Sequence, residues 1–169
     1  SPRRNNAEFD IRGHQDWEIR SIALQTIEDK RNFLRTELSP ERSAQNEWLA
    51  DLNGDGSHDW KDMLEERNEV FQLKDTDGDG MADWGQKQVY DFHEDVTDVA
   101  GGVMKTEDAL YVAAGPDMWR LMDTNGDGLM DEKKSLSHGY GIHIGFGAHG
   151  MSGVEMGPDG RIYWGIGDI

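Results

Sequence analysis

A mostly β fold of short antiparallel strands is predicted by three observations on the 169-residue sequence. First, apolar and polar residues alternate on either side of tight acidic loops. VFQLK (70–74) enters one loop and QKQVYDF (86–92) leaves it, while MWRLM (118–122) and KKSLS (133–137) frame another. Alternation around a short polar turn is the pattern of a β-hairpin. Second, the chain repeats itself: FQLKDTDGDGMAD (71–83) matches WRLMDTNGDGLMD (119–131) at an offset of 48. ALYVAAG (109–115) matches RIYWGIG (161–167) at an offset of 52. Third, GPDG (157–160) predicts a type I turn, with Pro158 presetting φ and Gly160 taking the positive-φ position. A period of about 50 residues built from hairpins is what a four-stranded antiparallel β-propeller blade produces.

In chain order, residues 1–66 read as a helical insertion. Apolar side chains recur at helical spacing at Ile19, Ile22, Ala23, Ile27, Phe33, Leu34 and Leu38, with Asp16 as a cap. Ser39 and Pro40 then offer an N-cap and a first helical position for a second helix ending near Trp48–Leu49. Residues 67–169 read as about two incomplete blades. One runs from a strand near Val103 through ALYVAAG and MWRLM to a fourth strand after the third acidic loop. The next begins at SGVEM (152–156) and stops inside its second or third strand. A propeller needs at least about four blades. The expectation is therefore a piece of a longer protein, or one part of an assembly whose partners are other chains.

Composition narrows the partners. With 34 acidic against 17 basic side chains the formal net charge is −17, a field that repels nucleic acid and anionic membrane surfaces. No apolar run reaches the ~20 residues of a membrane span. The chain has no cysteine, which excludes disulfides, thiolate metal sites and thioether-linked haem within it. No signal peptide is visible in this segment.

Acidic side chains crowd into three nine-residue loops: DLNGDGSHD (51–59), DTDGDGMAD (75–83) and DTNGDGLMD (123–131). Counting each from its first aspartate, oxygen side chains fall at positions 1, 3, 5 and 9, and glycine at 6. In loop 1 these are Asp51, Asn53, Asp55 and Asp59, with Ser57 at position 7 and Asp62 at position 12. Loop 2 supplies Asp75, Asp77, Asp79 and Asp83, with the backbone carbonyl of Met81 at position 7. Loop 3 supplies Asp123, Asn125, Asp127 and Asp131, with that of Leu129. Six to eight hard oxygens around a sharp glycine turn match calcium, whereas magnesium sheds water reluctantly. Three bound ions would take the net charge from −17 to −11. Position 12 holds Asp62, Gln86 and Lys134 instead of the EF-hand glutamate, so the affinity expected is modest. Loop 1, followed by WKDMLEE, is the more EF-like or dockerin-like; loops 2 and 3 resemble the calcium hairpins of integrin-type propellers. The plainer alternative is three Asx-rich turns.

HGYGIHIGFGAHGMSG (138–153), read as a strand, puts a bulky apolar face opposite a bare one carrying His143 and His149. Bare backbone beside imidazole suits the close approach of a ligand or another chain. His149 is the candidate general base, since imidazole titrates near neutral pH; a hydrogen-bonded structural histidine is the alternative.

The run ALYVAAGPDMWRLMDTNGDGLMDEKKSLSHGYGIHIGFGAHGMSGVEMGPDGRIYWGIGD resembles the PVC-type membrane-bound dehydrogenase-like proteins. NEWLADLNGDGSHDWKD and HQDWEIRSIALQTIEDKR look like the helical insertion in the early blades of that family. The resemblance implies a propeller related to glucose and sorbosone dehydrogenases, often joined to a haem c domain. It implies that His149, ahead of the GPDG hairpin, is the base for oxidation of a sugar or alcohol hydroxyl. It also implies pyrroloquinoline quinone (PQQ) or haem c held outside this segment. Two functions follow: a segment of a periplasmic or extracellular quinoprotein-like dehydrogenase, itself inactive, or a non-catalytic extracellular calcium-binding propeller acting as scaffold, adhesion or filament subunit.

Overall fold

The computed structural model describes residues 13–145 and 149–167. Eight strands carry most of the regular structure: β1 (Asn68–Lys74), β2 (Trp84–Asp91), β3 (Ala100–Lys105), β4 (Leu110–Ala114), β5 (Asp117–Met122), β6 (Glu132–His138), β7 (Met151–Met156) and β8 (Ile162–Ile166). They form three antiparallel sheets: the hairpin β1–β2, the meander β3–β4–β5–β6, and the hairpin β7–β8. The fold is mostly β. Among the described residues the three sheets do not close into a ring.

The period-2 pattern of β4 explains how the sheets stack. Leu110, Val112 and Ala114 point to one face, where they meet Val89 and Phe92 from the β1–β2 side and Leu121 of β5. Ala113 and Tyr111 point to the other face, against Met151 and Val154 of β7 and Trp164 of β8. The meander is therefore covered on both faces by a two-stranded sheet. Val112, Ala113 and Ala114 are completely buried as a result. Each large apolar side chain sealed in these layers contributes about 1.5–3 kcal/mol. Two glycines set the spacing at β3: a Cβ on Gly101 would collide with the Met151 carbonyl, and one on Gly102 would lie 2.9 Å from the Gly153 nitrogen.

The amino-terminal part is helical but broken where one continuous helix was expected. A 3₁₀ turn (Gln15–Trp17) precedes α1 (Glu18–Ile22), and a separate helix α2 spans Ile27–Glu37. The break comes from Thr26, whose hydroxyl accepts the Asp29 N–H while Asp29 accepts the Thr26 N–H. That reciprocal cap starts a new helix. Asp16 lies inside the 3₁₀ turn and caps no helix. Ile19 and Ile22, placed on the apolar stripe by spacing, are 82% and 63% exposed. Pro40 does open a helical segment, but it is a 3₁₀ turn that ends at Gln45. Leu34 and Leu38 of this region pack with Trp17, Met63, Val96 and Ile144, so its core includes residues from both halves of the chain. Arg31 and Arg35 reach across to the buried Asp95, and Arg20 and Arg42 hold the buried Glu37.

The glycine–histidine segment is not a strand. β6 ends at His138 and β7 begins at Met151, with irregular backbone at 139–145. Phe146, Gly147 and Ala148 lie outside the described residues. Two of its glycines serve a partner within the chain: Cβ atoms built on Gly141 and Gly150 would fall 2.6 and 3.9 Å from the Asp98 side chain, as one on Gly115, between β4 and β5, would at 3.0 Å. Lys30 of α2 completes the knot, donating to the Gly141 carbonyl at 2.6 Å and lying 3.4 Å from Asp98.

Candidate metal centres

The three acidic loops fold into one hydrogen-bond ladder. In loop 2 the N–H groups of Gly78 and Gly80 donate to the two oxygens of Asp75 at 2.6 and 2.9 Å. The Asp79 N–H donates to Asp77 and the Met81 N–H to Asp79, at 3.2 and 2.8 Å. Loop 3 repeats every rung: Gly126 and Gly128 to Asp123, Asp127 to Asn125, Leu129 to Asp127. So does loop 1: Gly54 and Gly56 to Asp51, Asp55 to Asn53, Ser57 to Asp55. Glycines at positions 4 and 6 take positive φ in all three, from 73° to 89°, which a side chain rarely adopts. Those glycines let successive N–H groups turn inward onto the carboxylates.

At loop 2 this geometry can accept a cation. Each carboxylate oxygen has two lone pairs, and the ladder uses one. The second stays available, while the N–H bond fixes the direction of the group, the role that outer partners play around bound metals. In loop 2 one carboxylate oxygen each from Asp75, Asp77 and Asp79 lies within 4.8 Å of the other two. Two oxygens on opposite sides of an ion at ~2.4 Å would be about 4.8 Å apart. Asp75, Asp77 and Asp79 can therefore share one metal ion. Loops 1 and 3 carry asparagine at position 3, so an amide oxygen replaces the middle carboxylate.

At position 9 the loops diverge. Asp83 accepts both the N–H and the hydroxyl of Thr76, at 2.8 and 2.6 Å; Asp131 does the same with Thr124, at 2.9 Å for each. The clasp closes the hairpin, as does the backbone bond from Asp83 to Lys74 and from Asp131 to Met122, both 3.0 Å. The Gly80 and Gly78 amides hold the Asp75 carboxyl below its ordinary value, and Thr76 does the same for Asp83. The Thr124 N–H and then its hydroxyl lower Asp131. The threonines at position 2 were not among the residues singled out from sequence, although the repeated DT in DTDGDG and DTNGDG is a visible signal.

Loop 1 has leucine at position 2, and its closure comes from inside the protein. Asp59 and Asp62 are both fully buried. Asp62 accepts three backbone N–H groups, from Leu52 and Asn53 on one oxygen and Asp59 on the other. It acts as the internal staple that ties position 2 to position 9. Asp59 accepts the Lys61 N–H on Oδ1, while Asp59 Oδ2 and Ser57 Oγ are buried with no hydrogen-bond partner.

The histidines do not converge. His149 is exposed directly ahead of β7, with its backbone against Gly167 after β8. His143 Nε2 lies 3.2 Å from the Leu24 carbonyl. His138 at the end of β6 lies 2.9 Å from Asp117, which also accepts the Ser135 hydroxyl at 2.5 Å.

A family profile described as a domain of unknown function, DUF7133, matches residues 40–169. The chain belongs to the DUF7133 family. The matched stretch contains all three acidic loops and His149. No curated protein and no solved structure matches this DUF7133 chain. No helix among its described residues is long and apolar enough to cross a membrane.

Proposed function

We propose that the chain is a calcium-stapled segment of a β-propeller. The observation that carries the reading is the ladder shared by three loops of different surroundings, with all-oxygen donor sets and the position-1, -3 and -5 oxygens held by backbone N–H groups. Calcium is the fitting ion because those donors are hard and numerous. Each ion would neutralise repulsion at a hairpin tip and hold the two strands in register. The propeller part is supported by the stacking: a four-stranded antiparallel meander lies between a preceding and a following hairpin, and equivalent strands recur 48 and 52 residues apart. Weak sites of this type would fill where calcium is about millimolar, which favours a location outside the cell or in the periplasm.

Calcium titrated into chelator-stripped protein tests this directly. Uptake by the loops, with melting raised more by calcium than by magnesium, is the expected result. An unchanged melting curve would reduce the loops to plain Asx turns.

For the whole protein, the reading carried forward is a quinoprotein-like sugar or alcohol dehydrogenase with His149 as general base. Its support is the family resemblance and the exposed position of His149 ahead of the β7–β8 hairpin. A quinone or haem c would be held outside these residues, since the chain has no cysteine for haem attachment. The scaffold reading makes the opposite forecast for dye-linked sugar oxidation by full-length protein: none, with or without His149→Ala. Activity that survives His149→Ala would remove this histidine from the mechanism.

A further inference from the structure

The side chain of Lys61 sits where loop 1 concentrates its charge. Its Nζ lies 3.7 Å from Asp55 Oδ2 and 3.6 Å from Asp59 Oδ2. Asp55 is position 5 of the ladder, and Asp59 is the buried position-9 carboxylate whose Oδ2 has no hydrogen-bond partner. A buried carboxylate oxygen in that state costs stability unless a cation answers it. The ammonium does so only in part, because both separations exceed hydrogen-bond length. Ser57 Oγ at position 7 is a second buried oxygen with no hydrogen-bond partner in the same loop. Loop 1 thus presents oxygens that a small dense cation satisfies better than a lysine can.

We propose that Lys61 is a tethered counter-ion of loop 1, which a divalent cation must displace to reach Asp55, Ser57 and Asp59. This rests on the calcium reading and adds a regulation to it. Loop 1 keeps its charge balanced without metal and binds calcium in competition with its own lysine. Loops 2 and 3 have no equivalent: the residues two places after their position-9 aspartates are Gly85 and Lys133, and Lys133 is drawn away to Asp91. The lysine is 44% exposed, so it can swing into solvent when an ion arrives. Once displaced, it no longer opposes the ion at short range.

The test uses the full chain with loops 2 and 3 silenced by Asp79→Ala and Asp127→Ala. Terbium bound at loop 1 is read by luminescence through the adjacent Trp60, and calcium is read by displacing it. In Lys61→Met, which keeps the stem and removes the charge, calcium should bind about three- to tenfold tighter. Lys61→Arg should leave the Kd near that of the unsubstituted lysine. In parallel, Lys61→Met should melt lower without calcium and gain more on its addition. Uptake with an equal Kd in Lys61→Met overturns the role of the lysine alone. No uptake by loop 1 in either protein, with terbium and calcium at millimolar levels, overturns the calcium reading and this one with it.

Discussion

Loop 1 and loop 2 share five of nine letters, at positions 1, 4, 5, 6 and 9, and fold into the same ladder, yet they differ in what closes them. Loop 2 is a hairpin tip, exposed along its whole length, clasped by one exposed threonine. Loop 1 is fastened from inside by Asp62, with Asp59 and Asp62 sealed against solvent and Lys61 nearby as a counter-charge. Loop 3 follows loop 2, and leans on its neighbour through a bond from Met130 to the Gln88 carbonyl at 3.2 Å. The motif sets the inner ladder; the residues at positions 2, 9 and 12 decide whether the loop is part of the core or an ornament on a strand pair. A metal should therefore matter differently to the two kinds of loop.

The sharpest break of that comparison is Asp62→Ala. Three backbone N–H groups, that of Asp59 buried and those of Leu52 and Asn53 part-buried, would lose their acceptor, costing about 2–4 kcal/mol with or without calcium, measurable by urea unfolding. An equal loss from Asp83→Ala would erase the distinction between staple and clasp. Next comes chelation. A loop held at a hundred times its Kd contributes about 2.7 kcal/mol, so stripping calcium should lower melting by several degrees, with loops 2 and 3 opening first by hydrogen exchange at their glycine amides. Smaller again is Asp77→Asn, which makes loop 2 resemble loop 3 at position 3. Calcium affinity of loop 2 should fall about tenfold while the ladder persists, because an amide oxygen still accepts the Asp79 N–H. Acid provides a graded test. Asp75, Asp83 and Asp131 have folded values below the ordinary 3.8, so their contribution is complete above that value and fades as pH falls through the lowered ones. Loops 2 and 3 should open together below about pH 3.8 in calcium-free buffer, visible in the amide signals of Gly78 and Gly126. The smallest effect is Thr76→Val, a shift of about 1–2 °C in melting, with no counterpart at Leu52.

Much of the β part was legible because its signals are local. Alternation and acidic turns marked β1, β2, β5 and β6 to within about two residues, and the offsets of 48 and 52 correctly paired like hairpins. The helical part was less legible. Helical spacing ran through Ile22 and Ile27 without registering that Thr26 and Asp29 form a reciprocal cap, which competes with continuation of α1. The glycine–histidine segment was misread for a different reason. Gly141 and Gly150 answer to Asp98, and Gly141 also to Lys30, partners 43 or more residues away in sequence, which no periodicity records. The ladder was implicit in the Asp/Asn–Gly spacing and the Thr clasp in the repeated DT, but the Asp62 staple and the lysine at loop 1 depend on packing that no spacing records.

The ladder also bears on how quickly these loops would respond. At loops 2 and 3, which have no lysine to displace, backbone amides already aim the oxygens before any ion arrives, so capture there would ask little motion of the chain. The slow event is then the ion shedding its own water, a step calcium takes readily and magnesium resists. Such loops would track the surrounding calcium concentration nearly instantaneously, filling and emptying as fast as hydration shells exchange.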